Sequence, residues 1–160
     1  MIKFSTIYRD YRNRLFYYLM RITGGDYDLS RDILQESFTR CLERYGSRID
    51  SIALLYKIAR NIVIDHTRNS GRNEPIDEQH PVDAVPVDHQ ILVREQYKKM
   101  LAALRSLNFD DREVLSLVAS ESVSYREIAA ILGTTENNIK VRVHRARKRL
   151  RKAMTNGGAT

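Results

Sequence analysis

Apolar side chains return at three- and four-residue steps through most of this chain, the spacing that gathers them on one face of an α-helix. Phe4, Ile7, Tyr8, Tyr11, Leu15, Tyr18 and Leu19 make the first such stripe, which stops near Gly24 and Gly25. A second helix is predicted from about residue 28 to 45. It turns Leu29, Ile33, Phe38, Cys41, Leu42 and Tyr45 inward and Asp32, Gln35, Glu36, Thr39, Arg40 and Glu43 outward, and Gly46 closes it. A third, from about 51 to 69, buries Ile52, Leu55, Ala59 and Ile62 and carries its stripe on to His66. Lys57, Arg60, Asn61, Ile64, Asp65 and Arg68 are left outside. After a break the pattern resumes over 90–106 with Ile91, Val93, Tyr97, Leu101 and Leu104. Next comes a helix holding Val114, Leu115, Leu117 and Val118, which Asp110 or Asp111 would cap. Two more follow, 124–132 and 135–154, ahead of a tail, 155–160, expected to be disordered. Nothing alternates with the two-residue period of a strand. The predicted class is all-α.

The break at 71–90 holds all three prolines, Pro75, Pro81 and Pro86, with Glu74, Asp77, Glu78, Asp83 and Asp88 against the single basic Arg72. Without periodicity of either kind it is predicted to be an extended acidic linker between two small helical modules, residues 1–70 and 91–154. It serves either as a soluble tether or as a nucleic-acid mimic in a basic channel. The 160 residues are enough for two such modules. A net charge of +7 calls for a polyanionic partner, nucleic acid or an anionic membrane surface. No apolar run nears the roughly 20 residues that cross a bilayer, and the charged start MIKFSTIYRDYRNR lacks the apolar core of a secretory signal. A cytoplasmic protein without membrane insertion is expected. A lone cysteine, Cys41, excludes an internal disulfide framework and falls on an apolar helix face.

The most specific motif is SYREIAAILGTTENNIKVRVHRARKRLRKAM. A short helix offers Ile128, Ala129 and Leu132 inward; Ala129 is small enough for the next helix to cross closely, and Gly133 suits the left-handed turn between them. Thr134 or Thr135 can cap the second helix, and Glu136 suits its positive N-terminal end. That helix buries Ile139, Val143, Ala146 and Leu150 while Lys140, Arg142, Arg145, Arg147, Lys148, Arg149, Arg151 and Lys152 occupy its other faces. Packing requires none of these cations. A basic helix directly behind a helix-turn-helix fits the major groove, its first turns at base edges and its later cations along phosphates.

Three stretches in order, SRDILQESFTRCLERY, LLYKIARNIVIDHTRNSGR and the helix-turn-helix, resemble the extracytoplasmic-function (ECF) branch of the bacterial sigma-70 family. The first resembles its region 2 helix, the second its minus-10-reading helix, and the third region 4. The resemblance implies a region 2 bundle of three or four helices, a region 4 helix-turn-helix, and promoter-specific initiation by core RNA polymerase. The implied partners are the polymerase beta-prime coiled coil and beta flap, promoter DNA, and an anti-sigma factor. Asp32, Gln35 and Glu36 then form an acidic and polar patch that docks on polymerase. Arg48, Asp50 and Ser51 line a pocket for a flipped minus-10 base, and Lys57, Arg60, Asn61 and Arg68 hold backbone and adjacent bases. Many relatives carry tryptophan before the Leu-Tyr pair; here Leu54 precedes Leu55 and Tyr56, and the chain has no tryptophan. Base stacking passes to Tyr56 or Tyr45, either of which suits a core equally. For minus-35 DNA, Lys140, Val141, His144 and Arg145 face base edges, with Arg142, Arg147, Lys148 and Tyr125 at phosphates. His144 could touch a thymine methyl or simply sit at the surface.

Two other classes of protein fit this sequence less well. A stand-alone helix-turn-helix regulator with an N-terminal sensing module would bind palindromes as a dimer. An enzyme finds no support: His66, His80, His89 and His144 are scattered, and no metal-ligand spacing, phosphate-cradling loop or nucleophile elbow is present, so no catalytic residue, metal or cofactor is expected.

Overall fold

A computed structural model describes residues 1–70 and 91–157. The acidic segment 71–90, predicted above to be the linker, and residues 158–160 of the tail lie outside the described residues. The first unit holds α1 (Phe4–Thr23), α2 (Tyr27–Tyr45) and α3 (Ile52–Ser70); the second holds α4 (Ile91–Ser106), α5 (Phe109–Ala119), α6 (Tyr125–Leu132) and α7 (Glu136–Gly157). Local chemistry sets these boundaries. Gly24 ends α1 in the left-handed region at φ 70°, and Asp26 caps α2 by accepting from the Leu29 N–H at 3.1 Å.

Several details differ from the sequence expectation. A short antiparallel pairing, β1 (Ile2–Lys3) with β2 (Arg48–Ile49), ties the N-terminus to the loop before α3. Two residues per strand are too few to show an alternation. Asn108, not Asp110 or Asp111, caps α5, accepting from the Asp111 N–H at 2.8 Å. The helix α7 runs through Gly157, into the expected tail. Leu42 and Tyr45 lie on the α2 stripe but are 44% and 38% exposed, although Cys41 beside them is buried; His66 is exposed likewise near the end of α3.

The two units pack against each other, α1 on α4 and α5, and α3 on α6, and their apolar residues form one continuous core. Leu15, Tyr18, Leu19, Ile22, Leu55, Tyr56 and Leu117 are fully enclosed in it. Tyr17 meets Tyr97 edge-on across the boundary at 6.4 Å between ring centres. Glycine at 24 and 25 permits this approach: a Cβ on Gly24 would fall 2.2 Å from Cγ of Arg105, and one on Gly25 would sit 3.3 Å from a methyl of Leu101.

Three tyrosines at this boundary, Tyr18, Tyr56 and Tyr97, have phenol pKa values raised by burial, Tyr97 to about 12. Raised in the folded state, such groups contribute stability that is complete below the unfolded value near 10 and is lost as pH rises through the folded value. The chain should therefore unfold in alkali. A spectrophotometric tyrosine titration followed beside circular dichroism should show the buried phenols ionising together with loss of helix, after the exposed ones.

Candidate nucleic-acid interface

In the second unit, Ser124 and Glu127 close a capping box at the start of α6. The Ser124 hydroxyl accepts from the Glu127 N–H at 3.1 Å, and the Glu127 carboxylate accepts from the Ser124 N–H at 3.0 Å. That backbone donor holds the Glu127 carboxyl below its ordinary pKa. Gly133 turns the chain at φ 68°, and Thr135 caps α7 by accepting from the Asn138 N–H at 3.1 Å. Ile139, Val143 and Ala146 are buried beneath α7 and Leu150 is half-buried. The opposite face carries Lys140, Val141, His144, Arg145 and Lys148, all exposed, at the one-, four-, five- and eight-residue offsets of one helical face. Arg147 is exposed beside it, Arg142 half-buried on its flank, and Tyr125 half-buried at the first position of α6. The structure thus brings Lys140, Val141, His144, Arg145 and Lys148 together on one face of α7 with Arg142 and Arg147 flanking it, and leaves Tyr125 half-buried on the neighbouring α6.

Arg149 stands apart from the other α7 cations. Its guanidinium donates to both carboxylate oxygens of the buried Asp111, at 2.9 and 2.8 Å, and so pins α7 to the start of α5. Arg149→Ala should lower thermal stability, by about 1–2 kcal/mol for a half-exposed charge-assisted pair. The slope of DNA affinity against salt should stay unchanged, as salt-dependent anisotropy would report.

In the first unit, Asp32 and Gln35 are exposed and Glu36 half-buried, three and four residues apart on one face of α2. Glu36 pairs with Arg40 one turn on, and its other carboxylate oxygen lies 4.0 Å from Nε2 of His66. Glu36 and Arg68 share an open polar groove of ≈ 440 Å³ between α2 and α3, whose wall also includes Arg40, Asp65 and His66.

The residues expected at the minus-10 strand divide. Arg48, Asp50, Lys57, Asn61 and Arg68 are exposed. Tyr56 is not available for stacking: it is 0% exposed, its ring 5.3 Å from that of Tyr18, and its hydroxyl is hydrogen-bonded to Ser122 at 3.1 Å. The buried side of α3 is wider than its one-stripe reading, since the second unit covers it as well as α1 and α2. Arg60 is engaged too, its Nε donating to the buried Glu113 of α5, and the Ser51 hydroxyl donates to Glu127 at 3.0 Å. Sequence reasoning missed Glu113, Ser116 and Ser122 as cross-unit partners. Each is a polar residue whose partner lies more than 50 positions away, which no local periodicity reports. Of the two stacking candidates, Tyr45 is the one at the surface. Tyr8 is also at the surface, 46% exposed, its ring packed at 5.0 Å on Phe38 of α2.

Fold and faces together define a helical DNA-binding protein with two recognition units, and the comparisons with known proteins name the family. The Sigma-70 region 2 family matches residues 7–73 and the Sigma-70, region 4 family residues 97–150. ECF RNA polymerase sigma factor SigM of Bacillus subtilis is 31% identical over 161 residues, an alignment covering 95% of this chain and 94% of SigM. BldN of Streptomyces coelicolor, also an ECF RNA polymerase sigma factor, is 29% identical, and the chain spans 57% of its length. Among solved structures, the fold is similar to RpoE in complex with the anti-sigma factor NepR from Bartonella quintana, with a TM-score of 0.73 at 24% identity over 95% of this chain and 96% of that one. It is similar also to CnrH in complex with the cytosolic domain of CnrY, with a TM-score of 0.68 at 21% identity, covering 96% and 88%. The chain belongs to the ECF branch of the sigma-70 family. No helix among the described residues is long and apolar enough to cross a membrane, and they hold no cluster of metal-ligating side chains.

Proposed function

We propose that this protein is a dissociable, non-catalytic subunit that joins core RNA polymerase in the cytoplasm and directs initiation by reading two promoter elements. Residues 1–70 serve as region 2, 71–90 as linker and 91–154 as region 4. The observation that carries the reading is the open face of α7: a capped helix-turn-helix presents Lys140, Val141, His144 and Arg145 to solvent with cations on either side. Lys140 and Arg145 read guanines of a minus-35 element, Val141 meets a thymine methyl, and Arg142, Arg147, Lys148 and Tyr125 hold phosphates.

Asp32, Gln35 and Glu36 dock on the beta-prime coiled coil, an acidic patch against a basic surface, and region 4 meets the beta flap. Arg48 and Asp50 flank the flipped minus-10 base, with Lys57, Asn61 and Arg68 along the displaced strand. Tyr45 takes the stacking role, since its ring is at the surface beside the 46–51 loop. An anti-sigma factor that covers these faces completes the partner set. The test is run-off transcription with purified core polymerase. Specific transcripts should appear only when the protein is added. Tight binding of one palindromic operator by the protein alone, with no initiation by core enzyme, would instead establish the stand-alone regulator.

A further inference from the structure

The short pairing of β1 with β2 sets two cations against each other. Its register places Lys3 opposite Arg48 and Ile2 opposite Ile49. Residues directly opposed in an antiparallel pair point to the same face, their Cβ atoms about 5 Å apart. Ile49 is buried and Ile2 half-buried, so that pair faces the core, and Lys3 and Arg48, both exposed, share the solvent face. The Phe4 N–H continues the tie by donating to the Ser47 carbonyl at 2.6 Å. Among the described residues neither cation has a carboxylate within ion-pair distance, and this holds for Asp50, only two residues beyond Arg48. Like charges directly opposite each other destabilise a strand pair. An anion held by both side chains would supply the counter-charge that the described residues do not.

The surroundings say which anion. Arg48 lies between Tyr45, the surface ring given the stacking role, and Asp50, placed beside the flipped base. Two residues of strand span only about 7 Å. A single strand with its base at Asp50 therefore carries a neighbouring phosphate across Arg48, and Lys3 is beside Arg48. We propose that β1 is part of the minus-10 reader, with Lys3 and Arg48 clamping one phosphate of the displaced strand next to the flipped base. The guanidinium gives that phosphate a fork of two donors, and the ammonium adds a point charge from the other side. The proposal rests on the reading that the 46–51 loop receives the minus-10 base. It adds Lys3, which only the strand register brings to that loop.

The clamp predicts effects of opposite sign on folding and on DNA. Lys3→Glu turns a like-charge pair into an opposite one, so it should raise the melting temperature of the free protein by about 1–4 °C. The same variant, joined to core RNA polymerase, should bind fork-junction DNA carrying a promoter that the protein uses at least about tenfold more weakly than the parent. Lys3→Ala should lower the slope of log affinity against log salt by about 0.7, the share of one phosphate contact on a single strand. Lys3→Arg should restore affinity. A Lys3→Glu protein that melts lower, or that binds the fork junction as tightly as the parent, overturns the proposal.

Methylphosphonates, which remove the charge of one phosphate at a time, locate the contact. Scanned along the displaced strand, one position beside the flipped base should cost the parent about tenfold and the Lys3→Ala, Arg48→Ala double variant less than about twofold. A scan with no such coupled position overturns the clamp alone. Parent protein and core polymerase that together bind no fork junction overturn the sigma-factor reading and the clamp with it.

Discussion

Replacing Lys140 and Arg145 together by alanine is expected to remove initiation at the cognate promoters while the protein keeps its fold and its place on polymerase. Both side chains are exposed on the outer face of α7, and neither is among the residues that hold the helix-turn-helix together. Exposed truncations of this kind shift stability by no more than about 0.5 kcal/mol. A Lys or Arg on guanine carries about 1–3 kcal/mol of base discrimination, so losing two such contacts should weaken promoter-specific binding by roughly a hundredfold. Truncating Lys148 instead should reduce affinity for all sequences alike and lessen its salt dependence. Footprinting of the minus-35 region at several salt concentrations separates the outcomes. A double variant that binds its promoter as well as the parent would move the reading face elsewhere.

The second large effect distinguishes two tyrosines that look alike in the sequence. Tyr56→Ala should destabilise the chain by about 3–5 kcal/mol, because it empties a fully enclosed site shared by both units. Against a typical total of about 5–15 kcal/mol, that is enough to deplete the folded protein. Tyr45→Ala should leave the melting temperature nearly unchanged and remove about 1–3 kcal/mol of base stacking, visible as fewer permanganate-reactive thymines in the minus-10 region. Tyr45→Phe, which keeps the ring, should restore opening. Should Tyr56→Ala fold normally and fail only in opening, Tyr56 would be the stacking residue and the closed packing around it would not be the working conformation.

The pattern of apolar positions located all seven helices found among the described residues, because each buries one face and the 3.6-residue period shows it directly. The helix-turn-helix was equally legible: the small Ala129, the turn at Gly133 and the cations of α7 are local choices with local consequences. What escaped the sequence was long-range. Tyr56 and Arg60 sit on α3 where a one-stripe reading leaves them at or near the surface, but a second partner, α5 and α6, covers that side. Conversely, Leu42 and Tyr45 belong to the α2 stripe yet stay partly exposed beside the buried Cys41. Amphipathic periodicity reports that a residue prefers burial; which neighbour supplies it, and where that neighbour ends, is settled by tertiary contacts. Arg149 makes the same point in reverse: the sequence leaves it among the α7 cations that packing does not require, and its contact with Asp111 makes it a packing residue.

These contacts change the picture of two independent readers. The units share one core, yet the outer face of α7 stays at the surface, as do Tyr45, Arg48, Asp50, Lys57, Asn61 and Arg68 of the first unit, while Tyr56 and Arg60 are taken up by the packing between the units.

The central claim, that two helical readers on one chain direct polymerase to promoters, is tested most directly by mapping 5′ ends of transcripts made by core RNA polymerase on a library of genomic fragments, with and without this protein. The account predicts new start sites that depend on the protein and share two upstream sequence elements at a fixed separation, the upstream one lost with the Lys140 and Arg145 double variant. Start sites that are the same with and without the protein would contradict it.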